Sequence, residues 1–357
     1  MFFNQSGNSC GNRISHLQSL SITHILWTLL PAFWALLSVL LPAGCSSISI
    51  PEATPPVASS KTSVIQTEFG HTNTCLDILT FENDRLGRLD AYQRINDFKE
   101  DITYVESTGG KKIIFLCSGG PYYRYNWSRI SSYSGLNDMR SYLKYESRES
   151  PTRTGELRII AGDSTGLVSL KPIISKIRIE ALSCDFSGTP YADKPITELK
   201  AYLINVNSSC PLVCPTPEKP IQILNHGKLS TDDIDNMMEP EILYSPITMR
   251  LDTSTIRPEC CFLCMPNNGM EGRAGNPPTR LVLEGKIDGY TYYWPINIGT
   301  GQEKGTHIIE RNYSYTYDIH IRRKGTTDPD IPISLETGDI TFRIEPWIEK
   351  KEYGIEF

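Results

Sequence analysis

Between Tyr313 and Arg322 the side chains alternate without a break. Tyr313, Tyr315, Tyr317, Ile319 and Ile321 fall on one side, and Ser314, Thr316, Asp318, His320 and Arg322 on the other. Only a β-strand has a two-residue side-chain period, so this segment demands a sheet with one buried and one wetted face. Two more segments share the pattern. In Ser175–Phe186, Ile177, Ile179 and Ala181 oppose Arg178 and Glu180; in Asp339–Glu345, Ile340, Phe342 and Ile344 oppose Thr341, Arg343 and Glu345. The stretch RLVLEGKIDGYTYYWPINI, from Arg280 to Ile298, reads as a hairpin turning at Asp288-Gly289, a pair that suits a tight primed turn. Lys111–Cys117 (KKIIFLC) is short and apolar enough for a strand buried on both faces.

Helical spacing occurs once, in Gly135–Glu146, where Leu136, Met139, Tyr142 and Leu143 predict the one helix of the mature chain. No fixed-period repeat is found, which argues against solenoids and propellers. A turn-rich break at Gly162-Asp163-Ser164-Thr165-Gly166 predicts a domain boundary near residues 162–170. Many strands, Gly/Pro turns and no βαβ rhythm predict an all-β chain of two sandwiches, 62–165 and 166–357. The 357 residues suffice for both cores.

An apolar run from Ile25 to Ala43 carries no charge, follows Arg13, His16 and His24, and ends in Ala43-Gly44-Cys45. Small residues before a Cys after an apolar run resemble a bacterial lipobox. The expectation is therefore a signal peptide over 1–44 and an acylated Cys45. About 20 apolar residues could instead span a bilayer. Pro31, the closing Ala-Gly-Cys and the Ser/Pro-rich segment that follows (SSISIPEATPPVASSK) favour a cleaved leader and a flexible tether over 45–61.

A net charge of −6 disfavours nucleic acid, whose binding needs a basic surface. Eighteen Tyr against six His suit strands and binding faces better than proton transfer. There is no phosphate-cradling glycine loop, no His-Glu-x-x-His and no Gly-x-Ser-x-Gly, so no enzyme or cofactor is expected and no residue is assigned to a metal. The cysteine groups, Cys210 with Cys214 and Cys260, Cys261 with Cys264, leave three options open: disulfides, buried thiols or a metal site.

The block PTRLVLEGKIDGYTYYWPINIG, followed by IIERNYSYTYDIHIRRKGTTDPDIPI, resembles the C-terminal domain of the fimbrillin superfamily, the pilins and pilus-associated lipoproteins of Bacteroidales-type bacteria. Leu170–Val206 is similar to the opening of that domain. In the N-terminal half CLDILTFENDRLGRLDAY and TGGKKIIFLCSGG resemble the family's first hairpin and a later strand. The resemblance implies two tandem transthyretin-like β-sandwiches behind a lipoprotein signal peptide. It also implies an outer-membrane, lipid-anchored surface protein whose partners are other fimbrial subunits, joined by β-strand donation.

Family pilins are trimmed after a basic residue beyond the first strand; between Cys45 and Cys75 the sole Lys or Arg is Lys61. At the C-terminus Tyr353, Ile355 and Phe357 share one face of an extended segment, the pattern of a donor strand. The alternative function is a surface lipoprotein that binds glycan or a host protein. Tyr122, Tyr123, Tyr125 and Trp127 would then form a stacking platform, unless they are ordinary core.

Overall fold

The structure, a computed structural model, describes residues 61–347 apart from 69–74, 97–101, 108–109, 123, 161–164, 214–215, 300, 302 and 334–339. Of residues 61–68 and 102–107 it describes the backbone. The expected leader, Cys45, the tether before Lys61 and the C-terminal Tyr353, Ile355 and Phe357 lie outside the described residues. The described residues belong to one compact unit.

Among the described residues nine strands precede residue 173: β1 (Lys61–Glu68), β2 (Leu76–Glu82), β3 (Leu89–Ile95), β4 (Ile102–Ser107), β5 (Lys112–Ser118), β6 (Arg140–Tyr142), β7 (Arg153–Ile159), β8 (Thr165–Ser169) and β9 (Lys171–Pro172). Five form a sheet in the order β3-β2-β5-β7-β9. Its central strand β5 is buried along its whole length, as the run KIIFLC requires. On one face Leu76, Ile78, Ile114, Leu116 and Ile159 pack with Val168 of β8 and with Leu170. On the other, Leu79, Phe81, Ile113 and Phe115 meet Tyr125, Trp127, Leu136 and Leu143. A second sheet, β4-β1-β8, has β1 at its centre, antiparallel to β4 and parallel to β8. Thr165 and Gly166, expected to close a turn, instead open β8.

Thirteen strands follow: β10 (Ser175–Cys184), β11 (Thr197–Ile204), β12 (Val206–Asn207), β13 (Ser209–Pro211), β14 (Ile223–Leu224), β15 (Tyr244–Pro246), β16 (Cys260–Cys264), β17 (Asn267–Met270), β18 (Arg280–Ile287), β19 (Tyr290–Asn297), β20 (Thr306–Ile309), β21 (Tyr313–Ile321) and β22 (Ile340–Pro346). Two four-stranded sheets, β16-β10-β21-β22 and β15-β11-β18-β19, dominate. Their inward residues, including Ile177, Ile179, Tyr315 and Tyr317 from one and Ala201, Leu203, Leu281 and Leu283 from the other, join a single apolar cluster. That cluster continues into Phe115 and Trp127, so one core runs through both halves.

The alternation in β21 is realised: Tyr315, Tyr317, Ile319 and Ile321 are buried and the residues between them are half-buried. In β10 the alternation slips once. A bulge sets Ile179 opposite Tyr317 and Ala181 opposite Asp318, leaving Glu180 as the extra residue. The phase therefore flips, and Leu182 takes the inward place expected for Ala181. The hairpin β18–β19 turns at Asp288 and Gly289, both with positive φ (54° and 82°), as a primed turn requires.

The helix expected over Gly135–Glu146 is absent. Two 3₁₀ turns, Tyr133–Asp138 and Leu143–Tyr145, flank the short strand β6, which pairs with β13 from the other half. Gly135, Asn137, Asp138 and Ser141 are weak helix formers, and the cross-half ladder prevails over a marginal local preference. Leu136 and Leu143 are still core residues. The α-helix found among the described residues is α1 (Thr231–Asp235), a single turn capped by Ser230, whose hydroxyl accepts from Asp233 N–H at 3.2 Å. No helix among them is long and apolar enough to cross a membrane.

Candidate functional site: strand edges and a polar cleft

Lys61 is the first residue of β1. Strand β1 is hydrogen-bonded on both sides, from Lys61 opposite Ser107 to Gln66 opposite Ile102, and from Val64 opposite Thr165 to Glu68 opposite Ser169. No Lys or Arg occurs between Lys61 and Arg85. Arg85 and Arg88 are exposed in the link between β2 and β3.

At the other end of the chain, β22 pairs only with β21 among the described strands and forms a sheet edge. Its alternation puts Phe342 against Tyr317, ring centroids 5.9 Å apart, yet Phe342 stays 50 % exposed. An edge strand with a free ladder and an exposed aromatic ring is a template for strand addition. Trp347 fixes the start of the tail. Its backbone N–H donates to Asn312 O at 2.8 Å, and Lys176 Nζ sits 4.1 Å from its ring centroid.

The aromatic cluster divides. Tyr125 and Trp127 are core, with ring centroids 5.3 Å apart, and Phe115 packs edge-on against Trp127. They were expected as either platform or core, and the structure makes them core. Tyr122 is 40 % exposed, and its hydroxyl donates to Glu239 Oε1 at 3.2 Å. Tyr123 lies outside the described residues.

Tyr122 stands at a polar cleft of about 520 Å³. Its floor is built by cross-strand register: Asp77 of β2 lies opposite Arg94 of β3. Asp77 Oδ1 accepts from Arg94 Nε at 2.7 Å and Oδ2 from Nη2 at 3.0 Å, while Tyr92 Oη donates to Oδ1 at 2.8 Å. Such a bidentate pair fixes the guanidinium plane. The bond to Asp77 raises the Arg94 pKa. Burial and then the same carboxylate push the Tyr92 hydroxyl up to about 12, so it remains a donor at any physiological pH. The walls come from Gly119–Tyr122, Arg124, Ser147 and Glu149, and Glu239 closes the cleft from the C-terminal half. Asp77 interrupts the apolar run LDILTF, but the sequence alone does not join it to a cleft. Nothing in the sequence pointed to Glu239.

Cys75, Cys117, Cys184, Cys260, Cys261 and Cys264 are free thiols. Burial pushes the thiols of Cys117, Cys184, Cys260, Cys261 and Cys264 up, away from the reactive thiolate. Cys214 lies outside the described residues. Among the described residues no group of three or more His, Cys, Asp or Glu is placed to hold a metal ion. His320 Nδ1 lies 2.7 Å from Ser183 Oγ, on the half-buried polar side of β21.

The all-β fold is shared with solved fimbrial and cell adhesion proteins of Bacteroides, Parabacteroides and Porphyromonas. A candidate cell adhesion protein from Bacteroides eggerthii matches at 16 % identity with a TM-score of 0.57, over 81 % of this chain and 96 % of its own. A candidate cell adhesion protein from Parabacteroides distasonis matches at 13 % identity and a TM-score of 0.57, over 81 % and 97 %. A fimbrilin from Porphyromonas gingivalis matches at 12 % and 0.57, over 82 % and 99 %. No family profile and no curated protein matches the sequence.

Proposed function

We propose that this chain is a subunit of a bacterial surface fimbrium, exported as a lipoprotein and joined to other subunits by β-strand donation. The observation that carries the reading is the shared fold with a fimbrilin over nearly the whole of that protein. The two halves serve as two transthyretin-like sandwiches, with β8 and β9 on the N-terminal side of the boundary because they pair with β1 and β7, and Cys45 carries the lipid that holds the subunit at the outer membrane. The chain acts as a structural protein rather than an enzyme.

The placement of β1 favours a membrane-proximal anchor. A cut after Lys61 leaves β1 in its sheet. A cut at Arg85 or Arg88 parts β2 from β3 and strips a central core strand. Neither cut vacates the place of β1 alone, so in this reading the subunit is not trimmed and keeps its first strand and its lipid. Metabolic labelling with radioactive palmitate tests this, together with N-terminal sequencing of the surface form. Wild type should be labelled and blocked at Cys45, and Cys45→Ala should be unlabelled and released. Equal labelling of both proteins, or a surface form starting at Thr62, contradicts the anchor.

A further inference from the structure

The cleft floored by Asp77 and Arg94 has no task in subunit assembly as proposed above. Its volume of about 520 Å³ is that of a small-molecule site. What lines it narrows the ligand class. Apart from Cys75 and Pro121, its apolar surface comes from the rings of Tyr122 and Tyr125. Among the described residues that line it there is no Leu, Ile, Val, Phe or Met, so an apolar metabolite or the greasy anchor of a peptide finds little to fill there.

The charges are mixed. Arg94 and Arg124 face Asp77, Glu149 and Glu239, which gives a slight negative excess. A phosphate or sulfate would meet carboxylates, and a polycation would meet guanidinium groups. The arrangement suits a neutral ligand that can both donate and accept at many points. Arg94 is held rigidly by Asp77, and Tyr122 is held at the rim through its hydroxyl bond to Glu239. Arg124 reaches the same space, its Nη1 3.5 Å from Cys75 Sγ, and Glu149 is an exposed acceptor on the opposite loop. Preset donors and acceptors beside a partly exposed aromatic ring are the features a sugar uses, its hydroxyls bonding in the plane and its C–H face lying on the ring. The geometry points to a binding site for a neutral oligosaccharide in the cleft between the Tyr122 and Glu149 loops.

The test is an array of neutral oligosaccharides ending in glucose, galactose, mannose or N-acetylhexosamine, probed with the full mature chain. Calorimetry on the best hit follows, with Tyr122→Ala, Arg124→Gln and Glu149→Gln alongside wild type. All three positions are exposed, so each variant should keep the wild-type melting temperature. Tyr122→Ala should weaken binding at least tenfold, and each charge-removing variant several-fold. Wild-type binding to no neutral glycan, or to charged glycans or peptides alone, overturns the assignment. So does a hit whose affinity none of the three variants changes.

Discussion

Glu146 is wholly buried, and among the described residues no cation contributes to its titration. Ser141 Oγ donates to Oε1 at 2.6 Å and Thr152 N–H to Oε2 at 2.8 Å. Burial raises its pKa, and the hydrogen bonds from Ser141 and from the backbone and side chain of Thr152 offset only part of that. An acid raised in the folded state holds its proton more firmly there than in the unfolded chain. Its contribution is complete below the unfolded value of about 4.3 and is lost as pH rises through the folded value. The wild-type melting temperature, measured against Glu146→Gln, should therefore fall progressively as pH goes from about 4 to 7. A difference constant across that window would show that Glu146 titrates normally. Lys112 is the opposite case. Only 2 % of its side chain is exposed, burial lowers its pKa, and bonds to Glu82 (2.8 Å) and Asp90 (2.9 Å) outweigh that and raise it. The sequence showed an apolar run there. It could not show that a bulge at Asp90, where Ala91 faces Thr80 and Leu89 faces Phe81, brings an acid to the buried amine.

Among the elements, those that depend on local pattern were legible. The β18–β19 hairpin follows from Asp288-Gly289 and the alternation of its arms, and β21 from its tyrosines. Gly289→Val at a φ of 82° should cost about 1–3 kcal/mol. Chemical denaturation would read this as a lower midpoint at unchanged slope, and an unchanged midpoint would refute a primed turn. What the pattern could not show was pairing between distant segments. Strand β6 is a strand because β13, about 70 residues later, gives it a ladder, and Leu143 N–H and Leu212 N–H extend that contact to Ser208 O and Met139 O. The tail beyond Trp347 is proposed as a donor strand built on Tyr353, Ile355 and Phe357. Deleting Glu352–Phe357 should leave the monomer's melting temperature unchanged and abolish polymer formation. A fall of several degrees, as ~1–2 kcal/mol would produce, would mark the tail as part of its own fold, and normal assembly would rule out donation.

Across the whole molecule, the all-β class and the likeness to fimbrial proteins could be read from alternation, turns and the segment at 278–333. The cleft could not, because Glu239 approaches it from more than 110 residues beyond Tyr122. The proposed two-sandwich division carries its own expectation. Limited proteolysis of the mature protein should nick near 162–166, and the halves should stay together after the nick. They share one apolar cluster, the β6–β13 ladder and the backbone bonds from Leu143 N–H to Ser208 O (2.8 Å) and from Leu212 N–H to Met139 O (2.8 Å). Co-elution of two fragments on gel filtration is the predicted result, and a single resistant fragment over 100–250 would contradict the boundary. The central claim, membership of a surface fimbrium, is tested most directly by immunogold electron microscopy of intact cells with antibody to this chain, compared with cells lacking the gene. Gold at the bases of thin fibres, with fibres lost or shed in the mutant, is the predicted outcome. Label spread over the membrane with no relation to fibres, and unchanged fibres in the mutant, would contradict it.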